Sequence, residues 1–536
     1  MLQLSPNDLK LLERLDVPVP QLSFSELMQS LMSFRNEWVL HRRKCDLSGQ
    51  AIISAYPEQT MFPVYRNELW WGDHWRPEKF AQPVNFSRPF FDQVADLQAI
   101  VPREGTSVFN CENSDYNSHI RESRNCYLNS LVYRCEDTFY SYWVVNDKDA
   151  ADCLLVNNST LVYDCMDCDT LYECVHLQDC NNCKDCHFSY QLRGCDSCIG
   201  CYNLVNKRFY VFNQAVTESE FKRLKGELLN GTRAGYETGR QIFSDIYAKA
   251  PRRALHNLNV ENCLGDHLLN SRNCHYAFDG SDGEDVNYSV SFAKAKSVLA
   301  CYSAGWPDCE DIYLSLVTRG SQNIAFSYYT FYSSGLRYCD SSMSCHDCFG
   351  SIGLRHARNC VLNRSYNVHE YEMVMRKLIS FMTETGEWGK FFPPQLSTFP
   401  YNQSAAQQHF PLTPEETAKQ GWCWRELESS EFDASTAPPS DLASLLPLDS
   451  RLLFRCEESG KPFKVNQAEA TLYQRLGLPP PNLAPQARHL RRLRRRNSFQ
   501  LQASKCALSG AEIVTTFDAT SAGNVVSEAA FLESLQ

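Results

Sequence analysis

Cysteine placement constrains this chain more than any other feature. Of 25 cysteines, 13 lie between Cys111 and Cys201 and 8 between Cys263 and Cys360, with only Cys45, Cys423, Cys456 and Cys506 elsewhere. An odd number cannot pair completely within one chain, and a chain of 536 residues is no small disulfide-stapled secreted domain. In the first block Cys153, Cys168, Cys183 and Cys198 recur in steps of 15, as do Cys165, Cys180 and Cys195. Cys186 to Cys201 and Cys111 to Cys126 repeat that step. Between them sit short β-rich stretches such as Leu128 to Tyr133, bounded by Asn, Asp and Gly and too short for helices. A fixed short period that returns one small apolar residue at constant phase is the pattern of a β-solenoid, in which each coil stacks on the one below. Residues 104–213 are expected to form such a lobe.

The second block is looser. Asn262-Cys263, Asn273-Cys274, Asp308-Cys309, Asp347-Cys348 and Asn359-Cys360 fall near multiples of 11 to 13, which predicts a second lobe over 252–367. Leu204 to Phe209 is echoed by Val361 to Tyr366, and each phrase precedes a helical pattern, near Thr217 to Leu224 and Glu370 to Leu378. A helix laid over the last coil would cover its open edge, so caps are expected over 214–251 and, with an extended connection, over 368–428.

A second duplication is ungapped. A shift of 461 residues aligns Leu11–Ser54 with Leu472–Thr515, and 15 of the 44 pairs are identical, among them Pro18/Pro479, Asn36/Asn497, Cys45/Cys506 and Gly49/Gly510. The repeated unit reads as two helices joined by a Pro-x-Pro turn, then a Lys-Cys-x-x-Ser-Gly knuckle that opens a β-hairpin. A third knuckle, Arg455-Cys456-Glu457-Glu458-Ser459-Gly460, precedes the C-terminal copy. Residues 429–450, rich in Ser, Ala, Pro and Asp, read as a linker. The expected fold is mainly β. Two stacked parallel β-solenoid (β-helix-like) lobes with helical caps are flanked by duplicated small α+β modules of treble-clef or zinc-ribbon-like type, over 1–103 and 451–536.

Cys45-x-x-Ser-Gly-x-x-Ile-Ile-Ser, Val64-Tyr65 with Trp70-Trp71-x-Asp73-x-Trp75, Gly386-Glu387-Trp388-Gly389-x-Phe391-Phe392-Pro393, Tyr401-Asn402 and Cys456-x-x-Ser-Gly-Lys461-Pro462-Phe463 together resemble a bacterial family met mainly in environmental and candidate-phylum genomes. Its members carry Cys-rich repeats between zinc-ribbon-like ends. The resemblance spans most of the chain and implies architecture, not an activity. It also implies Cys-Pro-x-Cys-Arg where this chain has Ala484-Pro485-Gln486-Ala487-Arg488, and further cysteines at Asn524 to Ser527.

A structural zinc takes four Cys or His ligands, whereas each terminal knuckle offers one thiolate followed by serine. Metal-free ribbons are therefore expected, with a shared site at Cys456, Cys506 and His489 as the alternative. Cys180-x-x-Cys183-x-x-Cys186 and Cys195-x-x-Cys198-x-x-Cys201 suit zinc, copper(I) or an iron–sulfur cluster by ligand type. The alternative that costs nothing extra is packing, because free Cys behaves as a small buried hydrophobe.

Against a net charge of −11, Arg488, Arg491, Arg492, Arg494, Arg495 and Arg496 crowd one segment, while the matching N-terminal segment is apolar. The module's fold does not require these arginines, which points to nucleic acid, another anion or an acidic protein as partner. A helix that pairs with the chain's own acids is the bland reading. Catalytic motifs are absent: no phosphate-cradling Gly-rich loop, nucleophile elbow or His-Glu-x-x-His helix occurs, and His74, His119, His176, His187 and His267 are isolated. Asp279 to Asp285 is an acidic, turn-rich run that suits calcium, a carbohydrate-cleaving groove or simply an exposed corner. No apolar run approaches the roughly 18 residues of a membrane span, and the first residues lack the apolar core of a signal peptide, so a cytoplasmic location is expected. The expectation overall is a non-enzymatic scaffold or binding protein without a cofactor, with a metal or redox protein as the alternative and a polysaccharide-active β-helix enzyme behind it.

Overall fold

A computed structural model describes residues 2–426, 436–449, 452–518 and 522–535. Strand accounts for 34% of residues and helix for 26%, in large multi-stranded sheets without a closed barrel. Two compact units form: unit 1 takes Met1–Thr106, Leu255–Glu426 and Phe499–Leu501, and unit 2 takes Ser107–Ala254, Leu427–Ser498 and Gln502–Gln536. Each terminal module thus belongs with the repeat block that is farther from it in the chain. Of the expected linker, 429–435 and 450 lie outside the described residues; the remainder contains a short helix, Leu442–Leu445, capped by Asp441. Among the described residues no helix is long and apolar enough to cross a membrane.

In unit 2 a 13-stranded sheet pairs its strands almost entirely in parallel. Ser118 pairs with Ser130, Ser130 with Tyr142, Tyr142 with Leu154 and Leu154 with Met166. The pairing step is twelve residues, not the fifteen that the cysteines display. Within it lies a step of three: φ is positive at Asn125, Leu128, Leu131, Arg134, Asp137 and so on through Asn206, with glycine at 194 and 200. The residue after each such corner points inward, and all 13 cysteines of the block hold that position. Fifteen is one step of twelve plus one of three, so equal cysteine spacing marks a diagonal across neighbouring inward columns.

A turn at every third residue leaves a narrow interior, filled mainly by Ser, Cys, Val, Ile and Leu. Ser114 Oγ accepts the N–H of Cys126 at 3.0 Å and Ser141 Oγ that of Cys153 at 3.1 Å, each twelve residues on. Cysteine does the same: Cys168 Sγ accepts from Cys180, and Cys180 Sγ from Leu192, both at 3.4 Å. The Cys180 thiol in turn donates to the Gln178 carbonyl at 3.3 Å. Left-handed backbone costs an L-residue roughly 1–2 kcal/mol. Corner side chains offset part of this by bonding across the twelve-residue step, as Asn113 does to Asn125 and Asn125 to Asp137, both at 3.1 Å.

Unit 1 holds a 12-stranded sheet with the same step, Gln322 pairing with Ser334, Ser334 with His346 and His346 with Arg358. Its one large irregularity lies between Ala293, which pairs with Gly305, and Ala295, which pairs with Cys309. The acidic run at 279–285 lies within this sheet. Asp279, Asp282 and Asp285 are corners, and Gly280 and Gly283 leave room for the Phe292 ring, which a Cβ at Gly280 would approach to 2.0 Å.

Both sheets end alike, and the matching residues are 150 apart. Asn213 exchanges two hydrogen bonds with the Tyr202 backbone, and Asn363 does so with Ile352. The primary amide stands in for the peptide group of a missing next strand. Leu204 to Phe209 and Val361 to Tyr366, alike in sequence, therefore occupy different positions. Capped helices follow, Glu218–Leu228 behind Thr217 and Val368–Glu384 behind Asn367.

The 461-residue shift holds in three dimensions. The first helices, Pro6–Leu15 and Gln467–Leu476, and the hairpin strands, His41–Lys44 with Ala51–Ser54 and Gln502–Lys505 with Glu512–Thr515, correspond residue for residue. In all three knuckles the glycine N–H returns to the cysteine carbonyl, at 2.8 Å for Gly49 and 2.9 Å for Gly460 and Gly510. No neighbouring atom would meet a Cβ at these glycines, so their φ near +70° is what requires glycine.

Cys180→Ala strands the Leu192 N–H and is expected to cost about 1–3 kcal/mol, whereas Cys180→Ser, which restores a short acceptor, should lie closer to the parent protein. Urea unfolding checks the order, and a serine variant no more stable than the alanine variant would count against inward cysteine as a hydrogen-bonding group.

Candidate functional site: an arginine-lined pocket

Corner residues that stack at the twelve-residue step form columns on the outside of a sheet, and one column of unit 2 runs Tyr140, Asp152, Asp164 and His176. Paired strands lie about 4.8 Å apart. The Pro485–Arg495 helix, started by proline in its first turn, rises about 1.5 Å per residue, so residues four and three apart advance by about 6 and 4.5 Å. That near-match lets the helix place Arg488, Arg492 and Arg495 on consecutive members of the column.

Asp152 is fully buried between Arg488 and Arg492, hydrogen-bonded to the first and 3.0 Å from the second. Arg488 also lies over the Tyr140 ring, 4.7 Å from its centroid. Arg495 donates to Asp164 at 3.1 Å and Arg496 to Asp167 at 3.0 Å. A buried glutamate completes the layer: the Tyr140 hydroxyl donates to Glu469 at 2.8 Å and the Tyr473 hydroxyl at 2.5 Å.

His176 is held in one tautomer. Its Nδ1 lies 2.6 Å from Asp164 and its Nε2 lies 2.9 Å from an N–H of Arg495. Arginine only donates, so Nε2 accepts and Nδ1 carries the proton. Burial, aided by Arg495 and opposed by Asp164, brings the His176 pKa down to about 4. Burial works to raise Asp164, but Arg495 and His176 outweigh it and hold that carboxyl far below its ordinary value. Burial raises Glu469.

Beside this layer opens a cavity of about 230 Å³. Arg488, Arg491, Arg492, Arg494 and Arg495 form one wall, and Arg233 and Arg240 from the Arg233–Lys249 helix form another. The turn Pro479-Pro480-Pro481 stiffens the rim, and Asp164 and Glu237 are the only carboxylates in the lining. Nε and Nη2 of Arg488 and Nε of Arg492 are buried without a hydrogen-bond partner. The cavity wall is rich in arginine and holds no nucleophile–base pair, which equips it to bind an anion, while the unpartnered nitrogens lie beneath that wall.

The six arginines singled out from sequence therefore do not form an open basic face. Arg488, Arg492, Arg495 and Arg496 meet acids of their own unit's sheet, and Arg491 and Arg494 share Glu458, at 3.0 and 3.4 Å. Nor do Cys180, Cys183, Cys186, Cys195, Cys198 and Cys201 gather into a ligand set. No three of their sulfurs lie within mutual ligand reach; each sulfur sits on a backbone carbonyl, burial pushes the thiols of Cys180 and Cys186 well up, and hydrogen bonds from these two bring Cys183 between them down to about 4. All cysteines are free. Among the described residues of unit 1, the group whose potential metal-ligand atoms come within 4.8 Å of one another is His256, Asp266 and His267. Cys456, Cys506 and His489 make no such group among the described residues. At Cys506, burial acts upward, but the Ser509 hydroxyl and the N–H groups of Ser527 and Ser509 win and bring the thiol down to about 6.

Sequence reasoning missed Asp152, Asp164, His176, Arg233 and Arg240. Tyr140, Asp152, Asp164 and His176 stand twelve apart, a signal hidden by the fifteen-residue cysteine spacing. A scan against protein-family models finds no match to this chain, and a search of curated proteins finds none.

Because the folded-state pKa of His176 is depressed, its contribution to stability is complete above about pH 6.5 and is lost as pH falls toward 4, about 3 kcal/mol in all. Urea unfolding at successive pH values should show His176→Gln less stable at neutral pH but flatter across this window. Equal slopes in the two proteins would exclude His176 as the titrating group.

Proposed function

We propose that this protein is a non-enzymatic binding scaffold in which the pocket of unit 2 receives an anionic group. Two β-solenoid lobes supply stacked, rigid corner columns, and each carries one metal-free ribbon-like module. Parallel pairing at a twelve-residue step over most of both sheets supports the solenoid reading, and knuckles with a single sulfur support the loss of metal. The observation that carries the binding role is the second module helix. In unit 1 it buries Leu27, Met28, Leu31 and Met32, while in unit 2 the same element buries Arg488, His489 and Arg492. Docking works through hydrocarbon in one copy, and burying charge is a weak route to stability, so the arginines answer to something other than folding.

The test uses labelled polyglutamate and a labelled oligonucleotide, read by anisotropy. Binding should weaken between about 50 and 200 mM salt and fall at least tenfold in the Arg491→Gln/Arg494→Gln variant, where solvent-facing charge is removed and the buried pairs are kept. No binding of either probe at low salt would refute the reading.

A metal-binding or redox role is the second reading, favoured by the His256, Asp266 and His267 group. It predicts at least one bound metal per chain in protein purified without oxygen; a smaller content, with the inward thiols modified by a thiol reagent only after unfolding, would eliminate it.

A further inference from the structure

Charge and donor geometry around the pocket narrow what it can hold. Seven arginines line it, and the carboxylates they contact are Asp152, Asp164, Glu237, Glu458 and Glu469, which leaves two positive charges in excess. Arg488 and Arg492 are 7% and 3% exposed, yet Nε of each is unpartnered. Nη2 of Arg488 is 3.6 Å from Glu469, beyond hydrogen-bond reach. A buried charged donor without an acceptor is destabilising, and these belong to side chains already fixed by Asp152, so they cannot swing out to water.

Size favours a small group. About 230 Å³ is below the roughly 300 Å³ at which organic-ligand sites begin. A single phosphoryl group is held whole in such a space, and a longer polyanion enters it one charged group at a time. Guanidinium forks on two different helices suit a tetrahedral group with several terminal oxygens better than a planar carboxylate, and two excess charges match a dianion.

We infer that the unit 2 pocket is a binding site for one small dianion of the phosphate-monoester class, inorganic phosphate being its simplest member. This rests on the anion-binding reading above and specifies its ligand.

The experiment is calorimetric titration of the full chain, freed of phosphate, with inorganic phosphate near neutral pH, and in parallel with acetate and a short single-stranded oligonucleotide. One phosphate per chain is expected, bound at least tenfold more tightly than acetate. Binding should weaken at least tenfold in Arg492→Leu, which carries the residue found at the corresponding Leu31 and is expected to fold. If its melting profile shows otherwise, Arg491→Gln/Arg494→Gln gives the same readout. No phosphate binding up to about 10 mM, or undiminished binding by a folded variant, overturns the inference. An oligonucleotide that binds where phosphate does not overturns the small-dianion assignment and leaves anion binding standing; if no probe binds, both fall.

Discussion

Everything in the two sheets depends on one hydrogen bond, from the N–H of an inward residue to the side chain twelve residues before it. With a corner at every third residue, the interior is narrow, and an inward N–H that lacks a carbonyl finds its acceptor in the side chain twelve residues before it. Ser, Asn and Cys satisfy that demand while remaining small. Cys135 Sγ holds the N–H of Asp147 at 3.3 Å, and Asn117 Oδ1 holds that of Asn129 at 2.8 Å. The abundance of cysteine is thereby a property of the backbone. A thiol fills more space than a hydroxyl, still accepts one bond and donates another, and carries a lower desolvation penalty.

The same periodicity governs the outside. A column of corners repeats every strand spacing, which an α-helix approximates with steps of three and four residues. A helix lying along such a column can address each coil with one side chain. Unit 2 uses that correspondence to set guanidinium groups on carboxylates, and the related helix of unit 1 lays down an apolar seam. Two chemically different seams on one geometry show that the scaffold fixes where side chains go and leaves their chemistry free.

The duplication was readable from sequence because an ungapped shift preserves the first helix with both its ends: Asp16 and Gly477 both end their helices in the left-handed region, and Asp8 and Glu469 both close capping boxes. Parallel β pairing was readable as a type. Its step was not, because cysteine occupies only some inward positions and its most regular spacing combines two true periods. The acids facing the arginines were invisible for a related reason. An aspartate at a corner looks like any turn residue until the twelve-residue register places it above another aspartate and beneath a histidine. A shared phrase such as Leu204 to Phe209 misled for the opposite reason, since residue identity repeats at corners of different rank.

The interleaving of the two units in the chain bears on how the protein is made. The first module leaves the ribosome about 150 residues before the repeat block of its own unit begins. The first repeat block, in turn, is finished long before the helix that buries Asp152 and Asp164 exists. Until then a column of acids and a strip of aromatic corners stand open, and long-range closure of this kind is slow and exposed to misassembly. Each block can nonetheless pair strand on strand from local contacts, with Asn213 and Asn363 as built-in stops. The module that follows in the chain then arrives as a clasp, and unit 2 is complete only when its arginines reach the waiting acids.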